Sequence, residues 1–348
     1  MTIISSFKQG LRQVSHTKRM VLFAWFVNVL FALVLALPFL NTLDGYLRGT
    51  VMDERLLHQV DPAWGETFRM DFEKSELVRG VDNTIFGYAP FFSHLEMTLN
   101  GAFVKSIGDF LSGLIFRLQI ASGYTSIIIL LGLLYVGATS FLAGGFISIY
   151  SKDHRPTFTE FVADGGKYFG KFFRLALVAL LVYYLFFTLL VDWVNRGIPR
   201  WTEGAPSEET AFLYYMVKGI VVLFLLSVIT MIFDYARIRI VVDVRTSAVF
   251  AFFAGARFTL VYFLRAYGLY VLLCAVGVVL IVLYALLEAQ VPQDSYWPLV
   301  IVFLLQQVYM IARMWLKAGF YACQTHFYRE EAKSELIPQS VPEPSIAS

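Results

Sequence analysis

The sequence predicts an all-α polytopic membrane bundle: six transmembrane helices in three hairpins, with amphipathic helices at the interface. Three observations carry this expectation. Of the 348 residues, 58% are hydrophobic and only 16% charged, with a mean hydropathy of +0.64, more apolar surface than a soluble globule buries. The apolar residues are gathered into six runs, each long enough to cross a hydrocarbon core roughly 30 Å thick at about 1.5 Å per residue. Within each run the apolarity is continuous rather than alternating, so the backbone groups are satisfied inside the segment, as in a helix and not in a barrel.

The first span is expected at 20–40, behind Lys8, Arg12, Lys18 and Arg19 and with no acidic residue before Asp44. That asymmetry places the amino terminus on the cytoplasmic side. The stretch is longer than a signal-peptide core, and Leu35-Ala36-Leu37-Pro38-Phe39 has no small-x-small cleavage site, so the span is expected to be retained. Pro38 here, and Pro298 later, fall near span ends, where a missing amide does least harm.

An outer segment follows at 41–123, with seven basic and eleven acidic residues. Residues 44–82 mix charges and read as a solvated helical stretch. Residues 90–120 repeat apolar positions every three or four residues, interrupted by Glu96, Lys105 and Asp109, as in a helix on the outer leaflet or one capping the bundle. The remaining spans are expected at 124–150, 172–194, 212–234, 267–290 and 297–321, which returns the carboxyl terminus to the cytoplasm, with a flexible tail at 331–348. The inner segments of this topology are rich in Lys and Arg; the outer loop around Gln290 to Trp297 has none. The stretch from Arg237 to Arg245 alternates like a strand. Arg239 and Asp243 also stand four apart, no Gly or Pro interrupts the chain, and a lone strand has no pairing edge, so a helical extension is expected.

The inner segments resemble one another. Arg155, Gly165 and Lys167 align with Arg245, Gly255 and Arg257 at an offset of 90, and Gly10 and Arg12 begin a similar stretch at the amino terminus. Each has aromatic neighbours and leads, through a basic residue, into a span. The interval from Gly10 to Gly165 exceeds that from Gly165 to Gly255 by 65 residues, and the outer segment 41–123 exceeds its counterpart 195–211 by 66. A threefold repeat with one outer insertion accounts for both differences. Gly-x-Lys/Arg flanked by rings suits a helix in the headgroup layer, which makes Arg12, Lys167, Lys171, Arg257 and Arg265 the candidate lipid contacts.

Candidate chemistry is sparse. Gly165 to Lys171 fits GxxxxGK, but Phe172 stands where a phosphate-binding loop needs Ser or Thr, and no strand precedes it. His16, His58, His94, His154 and His326 are scattered without ligand spacing, and Asp153, His154, Glu160 and Asp164 gather near a metal only if their loop folds back. Cys274 and Cys323 form no CxxC. No catalytic residue, metal site or cofactor is therefore assigned. The formal charge of +2 offers no global field for nucleic acid. At membrane depth the candidate polar cluster is Asn28, Lys218, Glu288, Gln306 and Gln307, with Lys218 free to snorkel outward or pair with Glu288.

Asp234-Tyr-Ala-Arg237-Ile, then Asp243-x-Arg-x-Ser247, then Ala256-Arg257-Phe258 before a span, resembles a pattern in bacterial six-span inner-membrane proteins. These are akin to the membrane domain that accompanies some glycerophosphodiester phosphodiesterases. The resemblance covers at most 124–330 and implies an inner-membrane bundle of hairpins with no activity to carry across. The expected function is non-enzymatic: a scaffold or accessory subunit that engages membrane lipids, partner membrane proteins or further copies of itself. The alternative is a transporter or permease for a lipid or amphipathic solute.

Overall fold

A computed structural model describes residues 3–48, 67–68, 70–71, 105, 124–203, 208–243, 247–292 and 296–336. Among them there are helices and no strands. In chain order they are α1 (Ile3–Ser15), α2 (Lys18–Leu47), α3 (Tyr124–Tyr150) and α4 (Phe158–Leu185), then a π-helical turn (Phe186–Val191) and α5 (Asp192–Trp201). After these come α6 (Glu208–Val242), α7 (Ala248–Val261), α8 (Phe263–Glu288) and α9 (Tyr296–Leu336). Among the described residues five helices are long and apolar enough to cross a membrane, or six if α1 and α2, bent by 76° at their junction, are counted together as one span. The chain is a multi-pass all-α membrane protein.

Helices begin and end for local reasons. At α4, Thr157 accepts the Glu160 amide at 3.3 Å while the Glu160 carboxylate accepts the Thr157 amide at 3.0 Å, a reciprocal capping box. α6 runs through the ambiguous alternating stretch to Val242, where Arg239 Nε meets Asp243 at 2.9 Å one turn on. Pro298 lies in the first turn of α9, as expected. Pro38 does not end its helix: α2 continues to Leu47, and Thr42 Oγ1 donates to the Pro38 carbonyl at 3.0 Å. The inner segment and second outward span were expected as separate pieces, yet α4 joins them without a break. The helical part of the chain also reaches beyond 331 into the expected tail, because Phe327 and Tyr328 are buried and Glu331 meets Arg265 at 3.2 Å.

Packing is concentrated at one end. The buried residues of α6 fall within 231–241 apart from Val222, and those of α8 are Ala266, Leu269 and Leu273; at this end α9 buries Ala318, Gly319, Tyr321 to Thr325, Phe327 and Tyr328. The other ends of the same helices expose Phe212 to Val217, most of 278–287 and most of 301–308. Apolar surface of this kind is stable against acyl chains and needs no further cover there.

Close helix approach at the packed end depends on glycines, three of them in the inner segments. A Cβ on Gly10 of α1 would stand 2.7 Å from Cys323 Cα of α9, one on Gly165 of α4 would stand 3.0 Å from the Phe141 carbonyl of α3, and one on Gly255 of α7 would stand 2.7 Å from the Ala236 amide of α6. Each glycine lets an inner segment lie directly on a returning span. The expected outer helices at 44–82 and 90–120 lie outside the described residues, apart from the end of α2 and a few isolated positions. Among those, Phe68 packs edge-on against Tyr46 at 5.1 Å between ring centres, and Lys105 meets Asp192 at 2.6 Å.

Candidate functional site: a charged cavity within the bundle

Where the packed end meets the open end, α3, α4, α6, α8 and α9 leave a cavity of about 420 Å³. Its walls are mostly apolar, with Leu133 and Val136 of α3 facing Phe173, Leu177 and Leu180 of α4. Its polar groups come from helical spacing. Thr230, Asp234 and Arg237 stand at i, i+4 and i+7 of α6 and share one face, and Lys317 and Tyr321 do the same on α9.

Asp234 is the centre of the floor and only 6% exposed. It accepts a hydrogen bond from Arg237 at 2.8 Å and a long one from Gln324 Nε2 at 3.5 Å. Gln324 Oε1 is buried with no hydrogen-bond partner among the described residues. On the α4 side, Tyr183 and Thr230 share a hydrogen bond of 2.9 Å. Lys317 is exposed and lines both this cavity and a small void of about 20 Å³ that Asn28 and Met314 also line. Two cations against one carboxylate leave a positive excess in a chamber otherwise suited to hydrocarbon. That combination can hold an amphiphile, apolar body against α3 and α4 and anionic head toward Arg237 and Lys317.

The structure distributes the candidate polar cluster over three places. Asn28 accepts from Tyr135 at 2.8 Å and donates to Met314 Sδ at 3.3 Å, and Gln307 accepts from Trp25 at 3.2 Å, so these two tie α2 to α3 and α9. Lys218 donates to Asn195 of α5 at 2.9 Å and lies 5.4 Å from the Tyr215 ring. Glu288 and Gln306 both reach Tyr284. Of the candidate lipid contacts, Lys167 and Lys171 flank the Tyr168 ring at 5.2 and 5.9 Å, Arg265 pairs with Glu331, and Arg12 and Arg257 are exposed. Asp153, His154, Glu160 and Asp164 do not converge. Asp153 meets Arg329 at 3.0 Å, His154 meets Glu160 at 3.6 Å, and Asp164 accepts from Lys152 at 2.7 Å. Among the described residues no group of three metal-ligating side chains is close enough to hold an ion.

The expected span 212–234 ends at Asp234, and neither Arg237 nor Lys317 is among the site residues expected from the sequence. The signal that could have found them is the stripe Thr230, Asp234, Arg237 on one face of an otherwise apolar helix. Fold and cavity together define a polytopic helical membrane protein with a positively biased, half-open cavity among its helices. No family model matches the chain, and neither a curated protein nor a solved structure is significantly similar to it.

Proposed function

We propose that this chain is a non-enzymatic inner-membrane protein, with both termini cytoplasmic, that holds an anionic lipid in its internal cavity and serves as a lipid-engaging scaffold or accessory subunit. The observation that carries the reading is the pairing of apolar walls with Arg237 and Lys317 opposed by Asp234 alone. A neutral amphiphile gains little from that excess charge, whereas a phosphate or carboxylate head meets donors in a medium of low dielectric. The close-packed positions of Gly10, Gly165 and Gly255 support the threefold repeat, with α1 resting on α9 as the inner segments of the other units rest on α3 and α6. The bacterial six-span resemblance is compatible with the same reading.

The test is retention of lipid by the delipidated, purified chain, read by native mass spectrometry after mixing with phosphatidylglycerol or phosphatidylcholine. The expected result is preferential retention of phosphatidylglycerol, reduced at least about fivefold by Lys317→Gln, a change that removes one charge-assisted contact. Equal retention of the two lipids, or no effect of the substitution, would refute it. A transporter would use the same cavity, between α3 and α4 on one side and α6 and α9 on the other. Faster transbilayer movement of a labelled lipid in liposomes containing the chain would favour transport over holding.

A further inference from the structure

A second cavity, of about 370 Å³, opens at the end of the bundle where the chain begins. Three segments distant in sequence build it: α1 contributes Arg12 and the turn after it His16, the connection from α3 to α4 contributes Lys152, His154 and Arg155, and α9 contributes His326. Three of the chain's five histidines therefore meet on one concave surface, although nothing in their spacing links them.

The surface is built rather than incidental. Gly10 seats α1 on Cys323, and one turn further His326 and Gln13 share a hydrogen bond of 2.9 Å, so the α1 wall is anchored to α9. His154 is held through its Nδ1 against the Arg155 carbonyl at 3.1 Å. The nearby carboxylates are already engaged. Asp153 accepts both its bonds from Arg329, at 3.0 and 3.1 Å; Asp164 takes Lys152 at 2.7 Å and Ser148 at 2.8 Å; Glu160 caps α4 and faces His154. Arg12 and Arg155 remain exposed, with no carboxylate partner among the described residues. Two exposed guanidiniums and three imidazoles lining one cleft, with the local carboxylates engaged elsewhere, supply the kind of donors that take phosphate oxygens.

We propose that this cleft is a binding site for a phosphate-bearing anion, with Arg12 and Arg155 taking the phosphate oxygens and His16 adding a donor. The group can belong to a lipid headgroup of the adjoining leaflet or to a soluble phosphate compound, and the chemistry that recognises it is the same.

The test is calorimetric titration of the full chain in a neutral detergent with inorganic phosphate and with short-chain phosphatidic acid. At least one is expected to bind saturably, and Arg12→Gln/Arg155→Gln is expected to weaken that binding at least about tenfold with an unchanged melting temperature. Arg196→Gln, on α5 and away from the cleft, should leave it unchanged. Binding of both probes points to a soluble phosphate compound and binding of the lipid alone to a headgroup; either supports the site. Should the double variant melt lower, Arg155→Gln alone provides the readout. If neither probe binds, or if binding survives the substitutions, the proposal is overturned. Loss on Lys317→Gln in their place overturns it too, because the phosphate then belongs to the intramembrane cavity.

Discussion

At the scale of single residues, the Asp234–Arg237 pair is the most exposed to a test. Their side chains are 9% and 25% exposed, and their separation is 2.8 Å. Breaking such a pair leaves a charge that the surroundings do not compensate, at a cost of about 3 kcal/mol, the lower end of the usual range because Arg237 keeps some access to the cavity. Asp234→Leu is therefore expected to lower stability in detergent by about that amount, while Asp234→Leu/Arg237→Met recovers most of it, since no lone charge remains. Denaturant titration followed by tryptophan fluorescence measures both, and a single variant as stable as the parent would contradict the buried pair. The pair was half legible. Both residues stand out in sequence as ionisable groups beside an apolar run, but the depth of an i, i+3 pair within a bundle depends on which helices cover it.

At the scale of elements, the glycines separate into two kinds that a sequence cannot distinguish. Gly165, Gly166 and Gly170 all lie within α4, yet only Gly165 is closed in; a Cβ on Gly166 or Gly170 meets nothing within 4 Å. Gly255→Ala would drive a methyl against the Ala236 amide at 2.7 Å and the Ile232 carbonyl at 2.8 Å, backbone atoms that yield only if α7 moves off α6. It is expected to cost about 1–3 kcal/mol, the usual penalty of overpacking. Gly166→Ala is expected to gain about 0.5–1 kcal/mol through helix propensity alone. Melting temperatures of the two variants in the same detergent check the signs, and a stabilising Gly255→Ala would contradict the close crossing. Span boundaries were the less legible part. Hydropathy locates the apolar middle of a helix, whereas α4, α6 and α9 run past it on polar residues held by Thr157, the Arg239–Asp243 pair and the Arg265–Glu331 pair.

For the whole molecule, one end is packed and the other presents apolar helix surface. The packed end carries Gly10, Gly165 and Gly255, and on the proposed topology it faces the cytoplasm. Arg155→Cys and Arg257→Cys, at exposed positions of that end, are expected to stay unlabelled by an impermeant maleimide in intact cells, and Gln290→Cys, past the far end of α8, is expected to react. Residues 155 and 257 reacting from opposite faces would dismantle the three-hairpin arrangement. The same end hosts the phosphate cleft, so the labelling result also fixes the compartment from which that anion comes.

The sequence by itself determined the class of molecule, an all-α chain with several helices long enough to cross a membrane, because the thickness of a bilayer and the need to satisfy backbone groups inside it act on each segment separately. It also allowed Gly10, Gly165 and Gly255 to be aligned, each with a basic residue two positions on. Only the tertiary structure decided that these glycines are helix crossings, that Asp234, Arg237 and Lys317 share a chamber, and that His16, His154 and His326 meet at one cleft. Each of these depends on which faces of helices far apart in the chain come to pack together, and periodicity along a single helix carries no information about its neighbours.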